Sequence, residues 1–322
     1  MKKSLALSAL LVLSLPFGQA SAAAAPETTR IYGLDRYETS ADISYLGWES
    51  SEVAVIATGS AFPDALSATP LAYKYEAPLL LTEKDSLSES VKEELMGLGV
   101  SKVFLIGGAS VISANVEKEL KAIGIQTVTR ISGIDRYETS VKIAQEVGIT
   151  DGLVVASGES FADALSVAPL SAQAQWPILL TKKTELPESV GSFVNSSNAE
   201  GAIVVGGTGA VSDKVLHSLP DPLRLSGSDR YETNREIIDF GYDIGLLAMD
   251  APFIATGKNF PDALSASALA ASWGNGVILT DPVNPSQTTK ATVQDYADLA
   301  EEYFIVGGEK ALPDSTIEKL FK

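Results

Sequence analysis

One stretch of sequence occurs three times in this chain, and this repetition constrains the fold more than any other feature. The copies read RIYGLDRYETS from Arg30, RISGIDRYETS from Arg130 and RLSGSDRYETN from Arg224. Corresponding residues recur at intervals of roughly 95 to 100 residues, whereas solenoid repeats are roughly 20 to 50 residues long. The sequence therefore predicts one small α/β unit that is used three times.

Three further motifs follow each copy of this signature in the same order. A G-x-x-F-x-D-A-L-S motif comes first, an apolar run ending in threonine second, and an apolar run ending in two glycines third. The first motif lies at residues 58–67, 157–166 and 256–265, the threonines are Thr82, Thr181 and Thr280, and the glycine pairs end at Gly108, Gly207 and Gly308.

Within the first unit, short β-branched and apolar runs alternate with helical patterns. Strands are predicted at residues 53–58, 78–82, 102–106 and 127–131, and helices at 65–75, 88–98 and 113–123. In the signature, Asp35 precedes a helical run with Glu38 three residues on, which is close to a capping box. This order predicts an α/β fold with a mostly parallel sheet in each of the three units.

The repeated motifs all come directly after predicted strands. In a parallel sheet these positions gather at the carboxyl edge, where open α/β sheets bind their ligands. The sequence therefore predicts a site or an interface along one edge of each unit.

Composition excludes several kinds of chemistry. The net charge of −17 argues against binding to nucleic acid or to an anionic membrane, both of which need a basic field. The chain has no cysteine, and its one histidine, His217, lies in a polar run where a surface position is expected. Nucleotide-binding, nucleophile-elbow and zinc-protease motifs do not occur in the sequence. We therefore predict no catalytic residue, no cofactor and no metal site.

The first residues have the pattern of a secretory signal peptide. Lys2 and Lys3 precede an apolar stretch at residues 5–17, and Ala20-Ser21-Ala22 is a small-residue cleavage pattern. The apolar stretch is shorter than the roughly 20 residues that a membrane-spanning helix needs. We predict a signal peptide at residues 1–22 and an exported protein without a membrane span.

The four motifs resemble the pattern of the cell wall binding repeat 2 family of Gram-positive bacteria, R-x-x-G-x-D-R-Y-x-T, G-x-x-F-x-D-A-L, L-L-T and G-G. The resemblance covers about residues 30–320. It implies three Rossmann-like or Toprim-like modules packed with pseudo-three-fold symmetry, at residues 30–126, 127–221 and 222–322. It also implies non-covalent anchoring of surface proteins, S-layer proteins or autolysins on an anionic secondary wall polymer.

From this resemblance we predict a secreted protein of the cell wall or cell surface that binds an anionic secondary wall polymer through its three modules. Peptidoglycan-associated surface proteins are further candidate partners. The alternative is an exported soluble protein that binds a small ligand or a partner protein. A peptidoglycan-modifying enzyme is the least favoured reading, because the carboxylate pair of Asp35 and Asp64 would have to serve as a catalytic site that occurs three times.

Two sets of repeated charged residues are the candidate polymer-binding residues. They are the signature arginines Arg36, Arg136 and Arg230, and the aspartates Asp64, Asp163 and Asp262 of the second motif. The arginines either capture a phosphate or carboxylate beside helix N-terminal amides, or lock neighbouring units together. The aspartates either hydrogen-bond to sugar hydroxyls or cap the helix that follows.

Overall fold

A computed structural model describes residues 26–322, and the predicted signal peptide at residues 1–22 lies outside the described residues. The described chain forms three four-stranded parallel sheets that alternate with helices, which confirms the predicted α/β fold. Within residues 26–322, none of the helices has the length and apolar character needed to cross a membrane.

The strands and helices follow the order predicted for each repeat. The strands are β1 (Glu27–Ile31), β2 (Val53–Thr58), β3 (Leu79–Thr82), β4 (Lys102–Ile106), β5 (Thr127–Ile131), β6 (Gly152–Ser157), β7 (Ile178–Thr181), β8 (Gly201–Val205), β9 (Pro222–Leu225), β10 (Phe253–Thr256), β11 (Val277–Thr280) and β12 (Glu302–Val306). The helices are α1 (Arg36–Gly47), α2 (Ala68–Lys74), α3 (Glu89–Gly97), α4 (Ala114–Ala122), α5 (Arg136–Val147), α6 (Ala162–Gln173), α7 (Glu188–Ser196), α8 (Asp213–Leu216), α9 (Arg230–Asp243), α10 (Pro261–Ser272), α11 (Gln287–Asp295) and α12 (Asp314–Leu320).

The three sheets have the same strand order, and the third is completed by the first strand of the described chain. Their orders are β3-β2-β4-β5, β7-β6-β8-β9 and β11-β10-β12-β1. Strand β1 pairs in parallel with β12, in the place that β5 and β9 occupy in the other two sheets. The three units, which we number 1 to 3 by sheet in this order, are therefore closed into a ring.

The strand that ends in the first two residues of each signature belongs to one unit, and the helix that the signature opens belongs to the next. Strands β5 and β9 lie in the sheets of units 1 and 2, whereas α5 and α9 pack on strands β7 and β11 of units 2 and 3. The bounds 30–126, 127–221 and 222–322 remain a prediction about the sequence repeats. The signature itself spans the junction between two units.

Each sheet is covered on both faces, which explains why its central strand is apolar throughout. All six residues of β2 are buried. Val55 and Ala57 pack into the core shared by the three units, while Ala54 and Ile56 pack into a separate core under the outer helices α3 and α4. A parallel sheet buried on both faces needs such continuous runs of small and β-branched residues.

Helices α2, α6 and α10 run side by side along a pseudo-three-fold axis and contact one another. The phenylalanines that precede them, Phe62, Phe161 and Phe260, form a triangle with ring centroids 5.7, 5.8 and 6.3 Å apart. At the other end of these helices, Nε2 of Gln173 donates to the carbonyl of Ala271 at 2.6 Å. The three helices therefore point the same way, and the ring has two distinct faces.

The central helix of unit 1 differs from the predicted continuous helix over residues 65–75. A 3₁₀ turn at Ala65–Ser67 comes first and α2 begins at Ala68, whereas α6 and α10 are unbroken over twelve residues. Only unit 1 has proline at both Pro63 and Pro70; α6 has Pro169 alone and α10 has Pro261 alone. Either proline alone is compatible with an unbroken helix, as α6 and α10 show, so the break in unit 1 coincides with the combination of both.

Candidate functional site

The start of each signature helix is capped as the sequence predicts. Asp35 accepts hydrogen bonds from the backbone N–H groups of Tyr37 and Glu38, and Glu38 accepts one from the N–H of Leu34 at 2.7 Å. Asp135 and Asp229 cap α5 and α9 in the same way. These three aspartates are therefore structural caps that hold the turn before each helix in one conformation.

The first arginine of each signature fixes the loop after the glycine pair. Nη1 of Arg30 donates to the carbonyl of Gly307 at 2.7 Å, and Nη2 pairs with Asp314 at 2.5 Å. Arg130 and Arg224 donate to Gly107 and Gly206 at 2.7 and 2.6 Å and also pair with a carboxylate. These contacts give the three arginines a structural role.

The second arginine of each signature reaches a different loop. Arg36 donates to the carbonyl of Gly59, and Arg136 and Arg230 donate to Gly158 and Gly257 at 2.5 Å each. Each acceptor is the glycine that follows strand β2, β6 or β10 of the arginine's own unit. One Nη of each guanidinium is therefore engaged by the protein.

The six predicted site residues come together as three pairs, each formed across a junction between units. Arg136 and Asp64 line one cavity, Arg230 and Asp163 line a second, and Arg36 and Asp262 line a third. The arginine comes from one signature and the aspartate from the preceding unit, so the third pair exists only because the ring closes. In each pair the guanidinium lowers the pKa of the aspartate, although burial raises that pKa more.

Each pair lines a cleft at the carboxyl edge of the sheets. Cleft 1, of about 310 Å³, lies between units 1 and 2; cleft 2, of about 410 Å³, lies between units 2 and 3; cleft 3, also of about 410 Å³, lies between units 3 and 1. The lining of all three consists of the aspartate loop, the residues after the glycine pair, and the capped turn and arginine of the next signature. The clefts therefore lie at the edge of the sheets where the sequence predicts a site.

The cleft aspartates do not cap the helices that follow them, so that interpretation of the sequence was wrong. Asp64 makes no capping hydrogen bond, and α6 and α10 have phenylalanine at their N-cap positions. Burial raises the pKa of Asp64 and of Asp163, and raises the pKa of Asp262 to about 6. Burial disfavours the charged form of a carboxylate, and the charge of one nearby arginine offsets only part of that effect.

A glycine at the end of the third strand of each unit makes room for the carboxylate. Gly107, Gly206 and Gly307 have φ values of 113°, 98° and 105°. A Cβ atom at Gly206 would lie 2.5 Å from Oδ2 of Asp163, and one at Gly307 would lie 2.6 Å from Oδ2 of Asp262. The first glycine of each repeated pair is thus required both by a left-handed backbone and by close packing against the cleft aspartate.

The three clefts differ at their rims. Leu34 borders cleft 3 and Ile134 borders cleft 1, and these side chains are 96% and 94% exposed. Cleft 2 has Ser228 at the corresponding position, and only the lining of cleft 3 includes a lysine, Lys310. These rim residues were not predicted from the sequence. The one variable position before each capping aspartate could have identified them.

The signature tyrosines pack against the turn of the second motif. A Cβ atom at Gly158 would lie 2.7 Å from the ring of Tyr137, so the two are in close contact. Tyr137 and Tyr231 are buried and Tyr37 is half-buried, so the three rings pack within the protein. His217 is exposed, as expected. Across residues 26–322, no group of three or more His, Cys, Asp or Glu side chains is placed to hold a metal ion.

Two curated relatives share most of this chain. N-acetylmuramoyl-L-alanine amidase LytC of Bacillus subtilis (strain 168) is 32% identical over 291 residues, which cover 90% of this chain and 57% of the relative. The amidase enhancer of the same organism is 32% identical over 279 residues, which cover 86% of this chain and 38% of the relative. The chain thus spans about half the length, or less, of the curated relatives it matches.

Two solved structures have the same architecture. Cwp6 from Clostridium difficile matches with a TM-score of 0.83 and 30% identity, over 92% of this chain and 47% of that one. Cwp8 from Clostridium difficile matches with a TM-score of 0.80 and 27% identity, over 91% of this chain and 51% of that one. The triplet of modules is therefore a fold that recurs within longer proteins.

The family suggested by the repeated motifs is confirmed by a match to each repeat separately. The model described as Cell wall binding domain 2 (CWB2) matches residues 30–117, 130–216 and 224–317. These three matches contain all six cleft arginines and aspartates. The chain belongs to the cell wall binding domain 2 family.

Proposed function

We propose that this protein is exported and attaches non-covalently to the Gram-positive cell wall by binding an anionic secondary wall polymer in clefts 1, 2 and 3. The observation that carries the proposal is the threefold occurrence of one cleft, each with an arginine and an aspartate contributed by neighbouring units. Membership of a cell wall binding family supports the cell wall as the place of attachment.

The chemistry of each cleft suits a polymer that carries both anionic groups and hydroxyls. The cleft arginine uses one Nη for a glycine carbonyl, which leaves further N–H donors of a permanently charged guanidinium for a phosphate or carboxylate. The aspartate, which is half-buried in clefts 1 and 3 and buried in cleft 2, offers acceptor oxygens for sugar hydroxyls. Because the chain carries a net charge of −17, attraction for an anion would depend on these local donors and would weaken with salt.

Three clefts in one chain would act together on a long polymer. After one cleft is occupied, the local concentration of polymer at the other two is high, so weak individual sites give tight overall attachment. In this proposal the protein has no catalytic activity of its own, and peptidoglycan-associated surface proteins are further partners. The amidase and amidase enhancer relatives make autolysins the first such partners to test.

Co-sedimentation with purified walls tests the proposal. The protein should pellet with native Gram-positive walls and stay in the supernatant with walls stripped of secondary polymer by acid. The triple substitution Arg36→Gln/Arg136→Gln/Arg230→Gln should abolish pelleting while the circular dichroism spectrum remains that of a folded protein.

Two controls make the outcome interpretable. Arg235 is half-buried and pairs with Asp239 and Asp295 away from the clefts, so it is the matched site for an Arg→Gln change that should leave pelleting intact. Equal recovery in the supernatant with both wall preparations would contradict the proposal and favour the alternative, a soluble binding protein for a small ligand or partner. Release of peptide or sugar from peptidoglycan would instead indicate an enzyme.

A further inference from the structure

A second kind of cavity lies on the face of the ring opposite the clefts. It has a volume of about 550 Å³, and its lining includes Trp48, Tyr73 and Glu76 of unit 1, Gln175 of unit 2 and Ser272 of unit 3. We call it the axial pocket. Its lining residues lie at or just after the C-terminal ends of helices and precede strands, so it lies at the amino edge of the parallel sheets, whereas the clefts lie at the carboxyl edge.

The three units line the axial pocket unequally, because their sequences differ where they meet. Tyr73 of unit 1 corresponds to Ala172 and Ala271 in the other two units, counted from the aspartate of the second motif. The phenol of Tyr73 lies 3.4 Å from Oε1 of Gln173, whose Nε2 is held by the carbonyl of Ala271. One unit thus supplies the aromatic side chain and the other two supply its support.

Two lining residues keep side chains at positions where glycine is the less strained choice. Glu76 and Gln175 have φ values of 50° and 56°, and the corresponding residue of unit 3 is Gly274 with φ of 69°. Side chains in this left-handed region are disfavoured because Cβ approaches the following carbonyl. Unit 3 demonstrates that the fold accepts glycine here. Glu76 and Gln175 thus place a carboxylate and an amide beside one pocket, at positions where the fold also accepts glycine.

The combination of groups in the pocket matches one ligand class. Two half-buried aromatic side chains, Trp48 and Tyr73, offer apolar surface, while Glu76, Gln175 and Ser272 offer donors and acceptors. Lys74 and Glu76 contribute one positive and one negative charge, so the lining favours neither an anion nor a cation. Small-molecule sites of roughly 300 to 1,000 Å³ commonly combine aromatic walls with a few convergent polar groups.

We propose that the axial pocket binds a neutral saccharide, with sugar carbons against the aromatic walls and hydroxyls hydrogen-bonded to Glu76 and Gln175. The site is separate from the clefts, and its ligand differs from theirs in being uncharged. A protein with both sites could hold an anionic polymer on one face and a neutral glycan chain on the other.

Titration calorimetry with two neutral trisaccharides tests this proposal. The probes are N,N′,N″-triacetylchitotriose and cellotriose, which share a backbone linkage and differ in the acetamido group. The protein should bind at least one of them, and binding should weaken at least tenfold in Tyr73→Ala and in Gln175→Gly. Both changes copy a residue that another unit already has at the same position, so the fold should tolerate them.

Two further measurements separate a ligand role from a structural one. Gln175→Gly should leave the apparent Tm unchanged or raise it, because it relieves a strained backbone while removing the amide. Arg136→Gln, in cleft 1, should leave trisaccharide binding unchanged, so failure of the polymer proposal would not affect this result. No heat with either trisaccharide up to millimolar concentration would overturn the proposal, as would binding that is equal in wild type and in both pocket variants.

Discussion

Asp262→Asn is expected to stabilise the protein at neutral pH and to remove part of its pH dependence. The carboxyl of Asp262 is half-buried in cleft 3, packed against Gly307 and facing Arg36. Burial raises the pKa of Asp262 from 3.8 to about 6 even though Arg36 opposes the shift. An asparagine has nearly the same shape and cannot ionise, so the substitution removes the charge and leaves the packing.

The expected magnitude follows from the pKa difference between the folded and unfolded states. A pKa difference of one corresponds to about 1.4 kcal/mol, so ionising Asp262 in the folded protein costs at most about 3 kcal/mol at neutral pH. Because the folded pKa is the higher one, the folded state binds more protons between pH 4 and 6. The free energy of unfolding therefore falls as the pH rises through that range.

Urea unfolding of wild type and Asp262→Asn at pH 4, 5, 6 and 7 measures this effect. The variant should be about equal to wild type at pH 4 and more stable at pH 7, by up to about 3 kcal/mol. Asp229→Asn is the matched control, because asparagine caps a helix about as well as aspartate and Asp229 is a cap. That control should show little difference at any pH.

A constant difference between variant and wild type across this pH range would refute the reasoning. So would a variant that is less stable at pH 7, because it would show that the Arg36 interaction outweighs the cost of burying the charge. If the prediction holds, the cleft carboxylates lower stability in the folded protein, which is typical of residues retained for binding.

Three further predictions concern the ring and the clefts. Deleting residues 27–31 should lower the urea-unfolding midpoint and promote association, because it removes β1 and leaves β12 as an exposed sheet edge. Urea unfolding and gel filtration would detect these effects, and native-like values in both would contradict ring closure. Gly206→Ala should destabilise by about 2 kcal/mol or more in urea unfolding, because it adds a Cβ against Asp163 at φ of 98°, whereas Gly209→Ala, with open space around it, should have little effect. If the exposed side chains of Leu34 and Ile134 contact the polymer, Leu34→Ser and Ile134→Ser should each weaken attachment to native walls by a few-fold. Ser228→Leu should strengthen attachment. Unchanged binding in all three variants would exclude the cleft rims from the contact with the polymer.

Local features of the fold could be predicted because their causes are local. The capping aspartates depend on an Asp followed three residues later by Glu, and this pattern stands in the signature itself. Strands buried on both faces appear as continuous apolar runs, and a parallel sheet then places the loops after them along one edge. Repetition of these signals three times was sufficient to predict the α/β class, the three units and the edge that carries the clefts.

The composition of each cleft depended instead on contacts between residues far apart in the chain. Asp262 and Arg36 belong to opposite ends of the described chain and meet because β1 completes the third sheet. The same aspartates looked equally suited to helix capping, since a motif before a helix does not say which way its carboxylate points. Small differences between the units, such as Tyr73 against Ala172 and Ala271, shape the axial pocket only because three helix ends meet there. Spacing along a chain determines local hydrogen bonds, whereas the partners of a side chain across a junction are set by how the units pack.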